Sequence, residues 1–380
     1  MMHFNKIKNG INNRFHKFIS ERIGFKTDRK IVVFESDDWG SIRMPSKEIY
    51  AKCLKAGYRV DKNLYERYDS LASESDLDLL FNLLIKYKDN FNNHPIITAN
   101  SLVSNPDFEK IEEADLSTYY RESIIKTFSE YPKHSNCLNL WRQGESERVF
   151  NVQYHGNEHL DTNYFIESLR ANQKDALFAL KHRMPGIINK KTGINNYIRA
   201  TFYRNLDENQ NILQNLITGL DLFAEIHGYR AVSFIAPNYR WNPSYNKLLR
   251  EHGVMYLQGR HLQLIPSLTG GNEGRIFNYT GKKNEFGQYY LARNCQFEPS
   301  LNPNNDNVSN CLMQINKAFS LKKPAIISTH RVNYVGYIVE DNRNENIKML
   351  ETLIKTILKK WPNAEFMTST ELGHYISENK

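Results

Sequence analysis

A chain of 380 residues, 40% apolar and 24% charged, can bury a large core and has the balance of a soluble globular protein. No apolar run approaches the ~20 residues of a membrane-spanning helix, and the scattered Cys53, Cys137, Cys295 and Cys311 lack CxxC spacing and read as reduced thiols. The net charge of +8 is concentrated in residues 1–30, where eight lysines and arginines face two acids. The remainder carries only +2, which argues against nucleic acid as a partner.

The first segment, residues 1–28, is basic. Phe4, Ile7, Ile11, Phe15, Phe18, Ile19 and Ile23 recur there at helical spacing. That pattern suits an amphipathic helix making peripheral membrane contact through residues 1–26, or one packing onto the protein's own body. It lacks the apolar stretch and cleavage site of a signal peptide, so a cytoplasmic location is expected. Residues 29–380 read as one domain. Apolar, β-branched runs predict strands over 30–35, 95–99, 150–154, 230–235, 254–257, 324–328 and 364–367. Helical periodicity falls between them over 74–88, 117–129, 163–182, 212–227, 243–252, 308–319 and 344–360. Strands alternating with helices predict an α/β fold with a mostly parallel sheet, and seven strands favour an irregular seven-stranded (β/α) barrel over an open sheet. The stretches 55–72, 184–211 and 260–306 break the alternation and read as long loop and hairpin insertions over the catalytic face.

Several strands end in ionisable residues. The run Lys30–Phe34 passes into Glu35-Ser36-Asp37-Asp38-Trp39-Gly40, three acids in four residues at the mouth of a buried strand. A fold tolerates that cluster mainly where a cation or a catalytic role compensates it. The strand at 150–154 leads into His155-Gly156-Asn157-Glu158-His159, whose imidazoles share one face if the segment makes a helical turn. Ile326-Ile327-Ser328-Thr329-His330 repeats the pattern, and ligands of parallel α/β folds bind beyond such strand ends. The loop Ala236-Pro237-Asn238-Tyr239-Arg240-Trp241 offers aromatic faces and polar edges suited to a sugar ring.

An acid pair after the first strand, H-x-x-x-H after a middle strand, a proline-aromatic loop and a strand ending in x-x-H resemble, in this order, the polysaccharide deacetylase superfamily. The resemblance spans roughly residues 30–375, and Ala364–Leu372 is also similar to the end of such domains. It implies a metal-dependent hydrolase on a (β/α) barrel, removing acetyl groups from N-acetylated sugar units of a polysaccharide or glycan precursor. Carried over by motif, Asp37 is the catalytic base and His330 the acid that protonates the leaving amine. Asp38, His155 and His159 hold a divalent metal, most often Zn2+ in the family. Trp39, Arg43, Tyr239, Arg240, Trp241 and Arg331 are then expected to contact the carbohydrate substrate. The chain departs from the pattern at Trp39, which separates the acids from Gly40, and at Gly156. Ile235 stands where the family has an arginine, Asn238 where it has a tyrosine, and no tryptophan with a paired acid marks the fourth motif. A glycoside hydrolase on a related barrel and a catalytically altered glycan-binding protein are the rival readings.

Overall fold

The computed structural model describes residue 19, residues 22–268 and residues 274–380. The amphipathic pattern at the N-terminus falls almost wholly outside them. Nine strands form the main sheet: β1 (Lys30–Trp39), β2 (Ile97–Leu102), β3 (Phe150–Gly156), β4 (Ser233–Phe234), β5 (Tyr256–Gly259), β6 (Tyr289–Ala292), β7 (Cys295–Gln296), β8 (Ala325–His330) and β9 (Ala364–Phe366). Their order is β6-β5-β4-β3-β2-β1-β8-β7, with β9 beside the start of β1, and every pairing is parallel. Helices connect most of them, as parallel pairing requires.

Only Arg293 and Asn294 separate β6 from β7. The Arg293 amide donates to the Gly259 carbonyl (2.8 Å) and the Asn294 amide to that of Ile326 (3.1 Å). One extended segment, 289–296, therefore pairs with both edges of the sheet and joins them. Counted as one stave it makes seven with β1 to β5 and β8; six of these were predicted, and the seventh predicted strand, 364–367, is β9, which lies beside the start of β1. This departs from the sequence reading, which placed 289–296 inside the 260–306 insertion. The first part of that stretch is a hairpin, Leu262–Ile265 against Gly274–Phe277, and a second antiparallel turn pairs Lys283 with Tyr289.

β1 is buried on both faces because its side chains alternate between two cores. Val32 and Phe34 pack with Leu80, Ile97 and Ile354, whereas Ile31 and Val33 pack with Leu291, Ile326 and Leu372. Each such side chain contributes roughly 1.5–3 kcal/mol on burial. Two predicted helices are divided. The 117–129 stretch becomes helical only from Ile124, since Arg121–Ser123 pairs with Ser104–Pro106. The 163–182 stretch breaks at Asn172, whose φ of 53° ends one helix before the next begins at Lys174.

Candidate active site

The first acid pair is aimed by a β-bulge. Between Ser36 and Trp39, β1 advances three residues while β2 advances two, from Ala99 to Ser101. In a regular strand, adjacent Asp37 and Asp38 would face opposite sides of the sheet. The extra residue, with Asp38 at φ 73°, brings both carboxylates to one side. Gly40 makes the turn that follows. Its φ is 78°, and a Cβ there would stand 2.6 Å from the Leu102 carbonyl.

A second bulge lies where β3 advances from Tyr154 to Gly156 while β2 advances one residue. It carries His155. His159 lies in the loop beyond, so the two imidazoles meet through a strand end and a bend, not through the helical turn anticipated from their spacing. The three groups converge: His155 Nε2 and His159 Nε2 lie 3.4 and 3.6 Å from Asp38 Oδ1. His155 Nδ1 donates to the Ile235 carbonyl at 2.9 Å, which orients the ring so that Nε2 faces Asp38. Neither His155 Nε2 nor His159 Nδ1 has a hydrogen-bond partner, although both are buried. Burial and then Asp38 and Arg43 set the His159 pKa, which falls to about 3, so its ring is neutral. One buried carboxylate and two buried imidazoles, with ligand atoms within 4.8 Å of one another, fit a divalent cation; no other such group occurs among the described residues.

Asp37 stands beside this triad, close enough to feel His155, but is held by other partners. Arg293 grips it with both terminal nitrogens (2.6 and 2.7 Å) and reaches Glu35 through Nε at 2.6 Å. Asn100 adds a donor to Asp37 at 2.8 Å, and Ser369 one to Glu35 at 2.8 Å. Burial opposes ionisation of Asp37, but Arg293 outweighs it and holds the pKa at about 2. Burial wins at Glu35, whose pKa is raised. His330 Nε2 is 3.7 Å from Asp37, and its Nδ1 is 2.6 Å from Glu298. Burial opposes protonation of that ring, yet Glu298 and Asp37 raise its pKa to about 10, so His330 is a cation at neutral pH. Asn333 holds the other Glu298 oxygen at 2.8 Å.

Arg293 and Glu298 were missed in the sequence, where the expected arginine was sought on the proline loop. Ile235 there supplies only its carbonyl, to His155. The missing signal was the grammar used elsewhere: Tyr289-Tyr290-Leu291-Ala292-Arg293 is again an apolar run ending in a charge.

The predicted substrate contacts divide. Tyr239 is half-buried, with its hydroxyl 3.0 Å from Arg293. Arg43 lies 3.5 Å from Asp38 and 3.5 Å from Asp69. Arg240 is half-buried, and its carbonyl accepts from Thr201. The other three have no face for a substrate. Trp39 is 1% exposed, bonded to Ser36 Oγ and packed edge-on against Trp141 and Phe150, because the bulge turns it into the core. Trp241 is buried and donates to Asn246. Arg331 is fully buried, forked onto Asp69 and donating to the Ser41 carbonyl.

No family model matches the sequence, and no curated protein matches it. Solved structures do. A candidate glycoside hydrolase/deacetylase of Parabacteroides distasonis is similar at TM-score 0.50 and 8% identity, covering 93% of this chain and 73% of that one. A candidate polysaccharide deacetylase of Mycobacterium smegmatis reaches TM-score 0.46 at 10% identity, over 94% of each chain. Another, of Pseudomonas aeruginosa PAO1, reaches 0.44 at 12% identity, over 92% of this chain and 91% of that one. In fold, the chain is a mixed α/β, parallel-stranded barrel-like structure similar to that of the Parabacteroides distasonis protein.

Proposed function

We propose that the protein is a metal-dependent hydrolase that removes acetyl groups from N-acetylated sugar units of a polysaccharide or glycan precursor. The observation that carries this reading is the placement of Asp37 and a protonated His330 beside the Asp38–His155–His159 triad. Asp38, His155 and His159 would hold a divalent ion, zinc by its nitrogen and oxygen donor set. Such an ion supplies Lewis acidity toward an acetyl oxygen and acidity to water.

The protein's own groups do the rest. Asp37, ionised throughout the physiological range, accepts a proton from the attacking water. Arg293 makes it a weaker base than a free carboxylate but fixes its orientation through a two-point grip. An amine leaves poorly as an anion, so His330, held as a cation against Glu298, gives its Nε2 proton to the departing nitrogen and becomes neutral. The C–N bond breaks, and acetate and a free amine result.

Acetate release from N-acetylated sugars by zinc-loaded protein, lost on chelation and in a His155→Ala/His159→Ala variant, tests the reading. Activity that survives chelation and cleaves glycosidic bonds would favour the glycosidase instead. We place this activity in the cytoplasm, with residues 1–26 as a basic contact to the membrane surface. Unchanged membrane association after deletion of residues 1–26 would refute that placement.

A further inference from the structure

The interior of the barrel carries a chain of buried polar side chains, and only its first member touches a group of the reaction. Asn100 of β2, Gln153 of β3, Ser233 of β4 and Gln258 of β5 are 0, 2, 0 and 0% exposed. Asn100 Nδ2 donates to Asp37 Oδ1 at 2.8 Å and to Gln258 Oε1 at 2.9 Å. Gln258 Nε2 donates to Ser233 Oγ at 2.7 Å, and that hydroxyl donates to Gln153 Oε1 at 3.2 Å. β3 and β4 lie between β2 and β5 in the sheet, so the Asn100–Gln258 bond crosses the barrel.

The polarity of this chain is fixed at both ends. Both Asp37 oxygens accept from the Arg293 guanidinium, which has only protons to offer, so Asp37 is an acceptor toward Asn100 as well. Gln153 Oε1 accepts from the backbone amides of Val232 (3.1 Å) and Ser233 (2.9 Å), which fixes the oxygen end of that side chain toward Ser233 Oγ. Between two acceptors, one assignment avoids every contact of like groups: Asn100 uses both amide protons, and Gln258 and Ser233 each pass one on. Turning Asn100 over would bring its Oδ1 against the Asp37 carboxylate. That oxygen is instead left without a partner, although it is buried. The consequence falls on the base. Asp37 Oδ1 accepts two hydrogen bonds, from Arg293 and Asn100, whereas Oδ2 accepts one, from Arg293, and lies 3.7 Å from His330 Nε2.

We propose that Asn100, Gln258, Ser233 and Gln153 are positioning residues: a one-way hydrogen-bond chain, anchored on the backbone at β4, that fills Asp37 Oδ1 and leaves Oδ2 to take the proton of the attacking water. The proposal rests on the deacetylase reading above. Its test uses the zinc-loaded full chain and the β-1,4-linked tetramer of N-acetylglucosamine, with released acetate and bound zinc both quantified. Gln258→Met keeps the volume, touches no group of the reaction, and is expected to lower kcat about tenfold with KM and zinc content unchanged. Asn100→Asp keeps the shape but not the donor, and is expected to lower kcat about 100-fold. Ser233→Thr, which retains the hydroxyl, is expected to recover the turnover that Ser233→Ala loses. Wild-type kcat in Gln258→Met and Asn100→Asp overturns the inference and leaves deacetylation standing, as does a loss of activity that follows a loss of zinc. No acetate from the zinc-loaded wild type overturns the deacetylase reading and the inference with it. Neutron crystallography of the deuterated wild type reads the polarity without any substitution. Deuterons on Asn100 facing Asp37 and Gln258, and one on Ser233 facing Gln153, are expected; the opposite polarity at either end refutes the chain.

Discussion

Replacing Arg293 with methionine removes one cation from between two fully buried carboxylates. Glu35 and Asp37 are 0 and 3% exposed, and three of the short contacts that hold them, at 2.6, 2.6 and 2.7 Å, come from this one guanidinium. Deleting one partner of a buried ion pair costs about 3–5 kcal/mol, since the survivor keeps its desolvation penalty. Methionine fills much of the volume, so the loss is electrostatic and not a cavity. Equilibrium urea unfolding at pH 7.5 is the assay, run on Arg293→Met, Glu35→Gln and the double variant. Glu35→Gln alone removes one of the arginine's two counter-charges and costs less than Arg293→Met. In the double variant one of the two abandoned carboxylates is gone, so the losses fall short of additive by about 1–2 kcal/mol. Additivity within about 0.5 kcal/mol would show that Glu35 and Arg293 do not act as a unit. Arg293→Lys keeps the charge but not the fork, and is expected to recover part of the stability while kcat stays about 100-fold low, as Asp37 loses its two-point hold.

The other expectations concern metal, pH and core. Single His155→Ala and His159→Ala variants, measured by elemental analysis after loading with zinc, should bind substoichiometric metal while unfolding cooperatively; full occupancy would dissolve the triad. His330 has a folded pKa of about 10 against an ordinary value near 6.5. Its contribution to stability is therefore complete below pH 6.5 and lost as pH rises through about 10. Thermal unfolding between pH 7 and 10 should fall more steeply in wild type than in His330→Gln. Glu298→Gln removes the main charge that keeps His330 protonated, so the alkaline limb of kcat/KM should move to lower pH, with a limb at its original position counting against His330 as the acid. Trp39→Phe should cost about 1 kcal/mol for its bond to Ser36 and leave KM for glycans unchanged, as befits a core residue.

How much of this was legible depended on the range of the interactions. The strand ends at Asp37, His155 and His330 announce themselves locally, because a buried run that stops at a charge has few structural explanations. Trp39 misled for a local reason too: side-chain direction follows strand register, and one bulged residue reverses it. Arg331 and Trp241 misled because adjacency to a functional residue says nothing about which face a side chain takes. Arg293 was hidden at longer range. Its partners lie some 250 positions earlier in the chain, and they meet only because 289–296 joins the two edges of the sheet. Glu298 depends on the same crossing.

That crossing also bears on two of the departures from the family pattern, Ile235 at the proline loop and the absent fourth motif. The guanidinium that holds Asp37 comes from the segment that joins the two edges of the sheet. With Ile235 at the proline loop, the charge comes from the stave 289–296, and Glu35 beneath Asp37 gives the guanidinium a second anchor so that its fork approaches from below. The acid that steadies His330 comes from the same stave, five residues further on, as Glu298. Both groups lie on one segment, so a change that shifts the 289–296 strand is expected to disturb Asp37 and His330 together and to leave the Asp38–His155–His159 cluster in place. A substitution such as Asn294→Ala removes the side-chain bonds that tie this segment to Ile326 and Pro324. It should therefore lower kcat with zinc affinity unchanged, a separation that the ordinary loss of a structural residue would not produce.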